Sequence, residues 1–354
     1  MSTNDEPSLH HYRYKIGNTK PDAPLPEYLN GRLHERLCIR IFVDSQEEYV
    51  EHIKTFPQLI EAARRVGPKT VGVAAANEKE ILLAAADAQQ QGIASFILVG
   101  NQPLIREIAS QEAINITGMI VVHEPDARKA ARRVVELVNL GHVDFPMKGR
   151  VETSEFLKAA LDREHGLRKG ELLSHVGVME IPGFDRLLFI SDAGVVVAPT
   201  MEQKIAIVQN AIDVARALGV KEPKVAVLAA TEMVNVKIPT TMDAANLSKM
   251  AERGQIRGGI VDGPLALDNA ISEEATEIKG IKSQVAGRAD ILIAPDIEAG
   301  NALAKAITYF AKGKMAGIVV GAKVPLVVAS RADPHESKLV SIALGVLLSA
   351  QGAQ

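Results

Sequence analysis

The chain has 354 residues, 47% of them hydrophobic, a size and apolar content that suit two domains better than one core. The formal net charge of −3 gives no electrostatic case for a nucleic-acid partner, and no apolar run of about 18 residues predicts a membrane span. A single cysteine, Cys38, excludes an intramolecular disulfide framework. Together with the lack of a secretory leader pattern, it predicts a cytoplasmic protein.

Residues 1–55 differ in character from the rest of the chain. They hold a His/Tyr/Arg cluster from His10 to Tyr14 and a proline-rich stretch over 21–26. We interpret this segment as an N-terminal extension that packs on the body or on a second subunit.

From residue 56 onward, helical and strand patterns alternate in the manner of βαβ units with largely parallel sheets. We expect two three-layer αβα domains. The first covers 56–150 plus about 318–354, and the second covers 151–317. The predicted helices are 56–66, 78–91, 102–111, 125–140, a short one after Thr153, 200–218, 242–252, 265–278, 298–312 and 334–350. The predicted strands are 70–76, 94–99, 117–122, 224–230, 258–262, 290–294, 316–320 and 325–329, with antiparallel pieces at 172–181, 186–190 and 195–198.

The predicted strand 325–329 ends abruptly in Ser330 and Arg331. Polar groups at the carboxyl ends of strands, beside helix N-termini, are typical of anion sites. Arg331 could hold an anion bidentately, and Ser330 could donate a hydrogen bond to a developing oxyanion. Asp333 occupies an N-cap position with Glu336 three residues later, as in a capping box. The alternative is that these residues serve only as caps and surface ion pairs.

Other strand ends carry the same type of residue. Asp262 ends the strand at 258–261, Asp296 and Asn301 follow 290–294, and Lys323 follows 316–320. We expect a shared cleft, although an aspartate at a strand end is most often a helix cap.

Lys148, Gly149 and Thr153 form a second constellation, at the end of the first α/β block. A lysine, a glycine and a hydroxyl at a helix start suit a phosphate or a pyrophosphate-bearing cofactor. An ordinary helix start capped by Thr153 is the alternative. The chain carries neither a dinucleotide-binding G-x-G-x-x-G after a strand nor a Walker P-loop.

Several blocks, taken together over about residues 56–352, resemble the phosphate acetyl/butyryltransferase family, and their spacing is more similar to the butyryltransferase branch. The blocks are Met147–Arg150 with Thr153, Leu172–Val176, Ile190–Gly194, Ala198–Lys204, Asp262–Pro264, Ala294–Asn301, Ser330–Asp333 and Glu336–Lys338.

The resemblance implies an isocitrate/isopropylmalate-dehydrogenase-like fold with an active-site cleft between domains. It implies reversible transfer of a butyryl, acetyl or propionyl group from acyl-CoA to inorganic phosphate. Coenzyme A is then a substrate, no cofactor is tightly bound, and the protein is a homodimer or higher homo-oligomer.

The resemblance also suggests roles for individual residues. Arg331 would bind the phosphate and Ser330 the oxyanion or the phosphate, while Asp333 or Glu336 would act on the thiolate of CoA. Two positions depart from the acetyltransferase branch. Ser337 stands where that branch has a carboxylate, and Lys158 stands where it has an arginine.

Two other functions remain open at this point. One is a metal- and NAD(P)-dependent dehydrogenase on the same fold, for which Asp262 and Asp296 are available. The other is a regulatory or scaffold domain without catalytic activity.

Overall fold

The computed structural model describes residues 52–169 and 172–351. Most of the predicted extension, including Cys38 and the His10–Tyr14 cluster, lies outside these residues. The last residues of the extension join the body: Ile53 is buried and its N–H donates to the Leu218 carbonyl at 2.9 Å.

The first half of the described chain alternates helices and strands as predicted, with one further strand, Phe145–Lys148, that was not predicted. Its elements are α1 (Phe56–Val66), β1 (Lys69–Ala74), α2 (Lys79–Gln90), β2 (Ala94–Gly100), α3 (Gln102–Gln111), β3 (Ile120–His123), α4 (Ala127–Asn139), β4 (Phe145–Lys148) and α5 (Thr153–Ala160).

The second half begins with two antiparallel strands and then returns to alternation. Its elements are β5 (Ser174–Glu180), β6 (Leu188–Ser191), α6 (Met201–Ala217), β7 (Lys224–Leu228), α7 (Pro239–Glu252), β8 (Ile260–Leu265), α8 (Leu267–Ile271), α9 (Glu273–Ile278), β9 (Ile291–Ile293), α10 (Ile297–Tyr309), β10 (Lys314–Val320), β11 (Leu326–Val327) and α11 (His335–Gln351).

The strands form one sheet in the order β3-β2-β1-β4-β11-β10-β5-β6-β9-β7-β8. Seven of the ten pairings are parallel. The three antiparallel pairings join β11 to β10, β10 to β5 and β5 to β6, at the middle of the sheet. The predicted α/β class with a largely parallel sheet is confirmed. The division into two domains stays a prediction.

Helices cover both faces of the sheet. Val71 and Val73 of β1 belong to a core cluster with α1, α2 and α11, whereas Ala74 belongs to a cluster with α4 and α5. This alternation along one strand is the expected consequence of its period of two. Within the described ranges, no helix is long and apolar enough to cross a bilayer.

One predicted strand, at 195–198, is wrong. Asp192 Oδ1 accepts hydrogen bonds from the N–H groups of Gly194 at 2.7 Å and Val195 at 2.8 Å. A short side chain that binds its own following backbone competes with strand pairing, so this segment is a turn.

Candidate active site

The residues from Ser330 to Asp333 form a closed turn at the carboxyl end of β11. Asp333 Oδ2 accepts the Ser330 N–H at 2.8 Å, and the Ser330 carbonyl accepts the Asp333 N–H at 3.2 Å. Ser330 Oγ accepts the Ala332 N–H at 3.3 Å. Because the hydroxyl is an acceptor in this contact, its proton remains available for a ligand.

The predicted capping box of Asp333 and Glu336 is wrong. Helix α11 begins at His335, and the His335 N–H donates to Glu80 Oε2 of α2 at 2.9 Å. The carboxylate of Asp333 instead closes the turn before the helix. Glu336 is exposed, and its Oε2 lies 3.5 Å from His335 Nδ1. The proposed acid–base roles of Asp333 and Glu336 stay predictions.

A buried lysine that the sequence reasoning did not select ties the turn to α11. Lys338 is 2% exposed, its Nζ donates to the Asp333 carbonyl, and it lies 3.9 Å from Glu78 Oε1. The available signal was the position of Lys338 at the start of the apolar run Leu339–Leu347, which predicts that it is buried. A buried charged residue needs a partner, so such a lysine is a candidate for an internal contact.

The end of β4 lies directly beside the end of β1. Gly149 and Arg150 donate their N–H groups to the carbonyls of Ala74 and Ala75, both at 2.8 Å. A β-carbon on Gly149 would collide with those same carbonyl oxygens, so no other residue fits this approach of two backbones.

Lys148, one residue earlier, is 6% exposed, and its Nζ lies 3.3 Å from the Gly149 carbonyl. Burial lowers the pKa of this ammonium, and the nearby Arg331 and Lys338 lower it further, while Glu78 and Glu152 act in the opposite direction. Three cations thus face two carboxylates at the carboxyl ends of β4 and β11. This arrangement leaves an excess of positive charge for an anion.

Arg331 is paired with a carboxylate at the start of α5. Its Nη2 lies 2.7 Å from Glu152 Oε1, and the two side chains are 55% and 70% exposed. Glu152 is the N-cap residue of α5, but its side chain makes no capping hydrogen bond. Thr153 is the first residue of the helix and not its cap.

Four predicted binding residues lie elsewhere in the fold. The prediction that a strand ends at Asp262 is wrong, because β8 continues to Leu265, and Asn301 lies inside α10. Asp262 accepts hydrogen bonds from the Ser283 hydroxyl and from the Gly263 N–H, the latter at 2.8 Å. Asp296 caps α10 by accepting the Ala299 N–H at 2.8 Å.

Asn301 Nδ2 donates to the Ala193 carbonyl at 3.1 Å. Lys323 is exposed, and its N–H donates to the Leu167 carbonyl at 2.7 Å. Because β8 and β9 run opposite to β4 and β11, strand direction alone does not bring Asp262 and Asp296 to the edge where Ser330 lies. The binding roles of all four residues stay predictions.

The fold and the site define an α/β protein with a cluster of cationic side chains at the carboxyl ends of neighbouring parallel strands. The model of the family described as phosphate acetyl/butaryl transferase matches residues 127–346, and the chain belongs to this family.

Individual relatives agree with this assignment. The chain is 47% identical to the phosphate butyryltransferase of Clostridium acetobutylicum over 84% of this chain and 99% of the relative. It is 46% identical to the phosphate acetyltransferase of Thermotoga maritima over 82% of this chain and 99% of the relative. The crystal structure of a branched-chain phosphotransacylase from Enterococcus faecalis V583 matches with a TM-score of 0.70 and 34% identity, covering 79% of this chain and 99% of that chain.

Proposed function

We propose that this acyltransferase moves a short acyl group reversibly from acyl-CoA to inorganic phosphate, giving acyl phosphate and free CoA. The observation that carries the proposal is the cluster of Lys148, Lys338 and Arg331 beside the Ser330 turn. Inorganic phosphate is an anion of the size and charge that such a cluster accommodates.

Each part of the cluster has a task in this reaction. Arg331 binds the phosphate through its guanidinium fork, and Lys148 adds a second, buried charge. The Ser330 hydroxyl, whose proton is uncommitted, donates to the oxyanion that forms on the thioester carbonyl. Phosphate is itself the nucleophile, so alignment and charge stabilisation lower the barrier without an acyl-enzyme.

Further properties belong to the same proposal. CoA is a substrate and product and no cofactor is held tightly, the protein assembles into homodimers or larger homo-oligomers, and it works in the cytoplasm. The relatives are named for butyryl, acetyl and branched-chain transfer, so the acyl group is proposed to be short. The NAD(P)-dependent dehydrogenase that the sequence left open finds no support among these relatives.

Release of free thiol from acyl-CoA tests the proposal. Purified protein is mixed with butyryl-CoA, acetyl-CoA or propionyl-CoA, with and without inorganic phosphate. We expect thiol release that depends on phosphate and an acyl phosphate as the second product. Thiol release with none of the three thioesters, or release that is independent of phosphate, would refute the proposed function.

A further inference from the structure

Two separate apolar clusters lie on the same face of the sheet. Alternate residues of a strand point to opposite faces, so Met315, Gly317 and Val319 of β10 share one face. Val319 belongs to the cluster with α4 and α5, whereas Met315 packs on a third cluster that includes Ala304 of α10. The boundary between these two clusters therefore crosses β10 at Gly317.

Two paired glycines and a histidine ring form the floor of this boundary. Gly317 pairs with Gly177 of β5, and neither has a side chain to fill the gap. The ring of His175 lies over them: a β-carbon on Gly317 would be 3.1 Å from its Nε2, and one on Gly177 would be 3.6 Å from its Cε1. The same β-carbon on Gly317 would be 2.6 Å from the carbonyl oxygen of Val328, two residues before Ser330. The floor is thus next to the segment that leads into the Ser330 turn.

Lys148 lies on the same face, on the side of α4 and α5. It is the register partner of Ala74, and register partners on neighbouring strands point to the same face. Ala74 and Val319 belong to one cluster, so Lys148 is on the face that carries the floor.

Helix α10 lies on the other side of the floor. Asn301 Nδ2 donates to the Ala193 carbonyl at 3.1 Å. The same segment reaches the ring, since a β-carbon on Gly194 would be 3.3 Å from His175 Cγ. Lys305 is four residues after Asn301, so it lies on the same side of the helix.

The charges around the ring show that both sides are close to it. Burial lowers the pKa of His175, and Lys305 lowers it further. Asp192 and Asp333 have the opposite effect on this pKa. Lys305 of α10 and the Ser330 turn, which Asp333 closes, therefore flank the same ring.

Lys305 is an unpaired cation that is partly removed from water. It is half-buried, and within residues 52–169 and 172–351 its ammonium forms no ion pair or hydrogen bond. The carboxylates near the ring are bound to backbone groups instead. Asp192 accepts three backbone N–H groups, and Asp333 accepts that of Ser330. Such a lysine is unfavourable in a fold unless a ligand supplies the opposite charge.

We propose that Lys305 binds the attacking phosphate from the side of the floor opposite to Lys148 and Arg331, a role that rests on the proposed function. Cations on both sides of the ligand neutralise its charge and fix its direction toward the thioester carbonyl. The two sides need not touch each other, because the phosphate lies between them. Lysine suits this task, since its ammonium acts as a point charge at the end of a long side chain.

The substitution Lys305→Gln tests this role against the matched variant Lys282→Gln. Lys282 is exposed on the loop after α9. We expect Lys305→Gln to raise KM for phosphate about ten-fold or more, the scale of one hydrogen bond to a charged group, and to leave KM for acyl-CoA unchanged. Lys282→Gln should match the wild type. Lys305→Arg should recover most of the loss because it keeps the charge.

The reverse reaction supplies a second readout. Acyl phosphate carries the same phosphoryl group, so its KM should rise in Lys305→Gln, whereas KM for free CoA should not. A folded Lys305→Gln enzyme with a wild-type KM for phosphate would overturn the inference while leaving the acyltransferase function intact. A rise confined to KM for CoA and acyl-CoA would also overturn it, since the lysine would then bind the coenzyme.

Chemical labelling of the wild type covers the case in which the variants do not fold. Inorganic phosphate should slow the reaction of Lys305 with an amine-reactive reagent, followed by mass spectrometry, and should leave the labelling of Lys282 unchanged. Equal labelling of Lys305 with and without phosphate would overturn the inference. Absence of phosphate-dependent thiol release in the wild type would instead refute the proposed function.

Discussion

At the scale of single residues, Arg331 forms a short ion pair that contributes little to stability. Its pair with Glu152 is short, at 2.7 Å, but both side chains are more than half exposed. Exposed pairs contribute only about 0–1 kcal/mol to stability. In the proposed reaction, an incoming phosphate can therefore replace Glu152 at small cost, and until then the pair holds the guanidinium at the start of α5.

Replacing Arg331 with alanine should affect catalysis and leave the fold unchanged. We expect Arg331→Ala to raise KM for phosphate and to lower kcat by ~10²-fold or more, as for other lost transition-state contacts. Arg331→Lys should recover only part of the loss because it lacks the bidentate fork. Steady-state thiol release is the measurement, with Arg106→Ala on the exposed surface of α3 as the control. Unchanged kinetics in a folded Arg331→Ala enzyme would remove Arg331 from the mechanism.

Replacing Glu152 should have the opposite effect on phosphate. The carboxylate competes with the anion for the same guanidinium, so Glu152→Gln should lower KM for phosphate about two- to five-fold, matching the energy of an exposed pair. The exposed neighbour Ser154, changed to alanine, provides the comparison. A higher KM in Glu152→Gln would show that the ion pair orients Arg331 more than it blocks it.

At the scale of elements, the turn after β11 depends on α11 and α2. Lys338 on α11 donates to the Asp333 carbonyl and faces Glu78, which precedes α2. The side chains proposed to bind phosphate thus lie on a turn that a buried ammonium contacts from behind.

The variant Lys338→Met keeps the length of the side chain and removes its charge. We expect a loss of about 1–3 kcal/mol in the free energy of unfolding, because the Asp333 carbonyl and Glu78 lose their partner. We also expect kcat to fall, since the Ser330 turn is no longer anchored. Urea unfolding and thiol release measure the two effects, and Lys314→Met at an exposed position of β10 is the control. A variant with wild-type stability and rate would contradict the anchoring role.

Local signals in the sequence predicted most of the elements. Helices α1 and α3 have the predicted bounds because Thr55 and Asn101 cap them and a proline stands in the first turn of each. The wrong strand at 195–198 has a local cause, the Asp192 side chain, whereas the wrong capping box has a non-local one. Asp333 failed as a cap because Glu80, far away in the sequence, takes the first N–H group of α11.

The same distinction applies to the candidate site. Arg331 was recognisable from its position after a predicted strand, Lys148 and Gly149 from their position before a predicted helix, and all three from the family blocks. Lys338 was not selected, although the apolar run that follows it was an available signal of burial.

At the scale of the whole molecule, buried basic groups link stability to pH. The pKa of His175 in the folded state is below 6.5, so the unfolded chain takes up a proton at mildly acidic pH that the folded chain does not. Stability from this group is therefore present above pH 6.5 and declines as the pH falls below it.

We expect the urea midpoint of the wild type to be lower at about pH 5.5 than at about pH 7.5, with His175 contributing at most about 1.4 kcal/mol per pH unit. The His175→Gln variant should lose part of this decline. His52, whose pKa is also lowered by burial, supplies a remaining part. Equal declines in wild type and variant would show that His175 is not held neutral in the fold.

The two-residue strand β11 has a consequence for biosynthesis. It pairs with β4 on one side and β10 on the other, so it joins strands made early to strands made late. A nascent chain that has passed its ninth strand has no bridge between these groups and lacks Ser330, Arg331 and Lys338. The proposed anion site therefore needs residues that are synthesised only after the first nine strands.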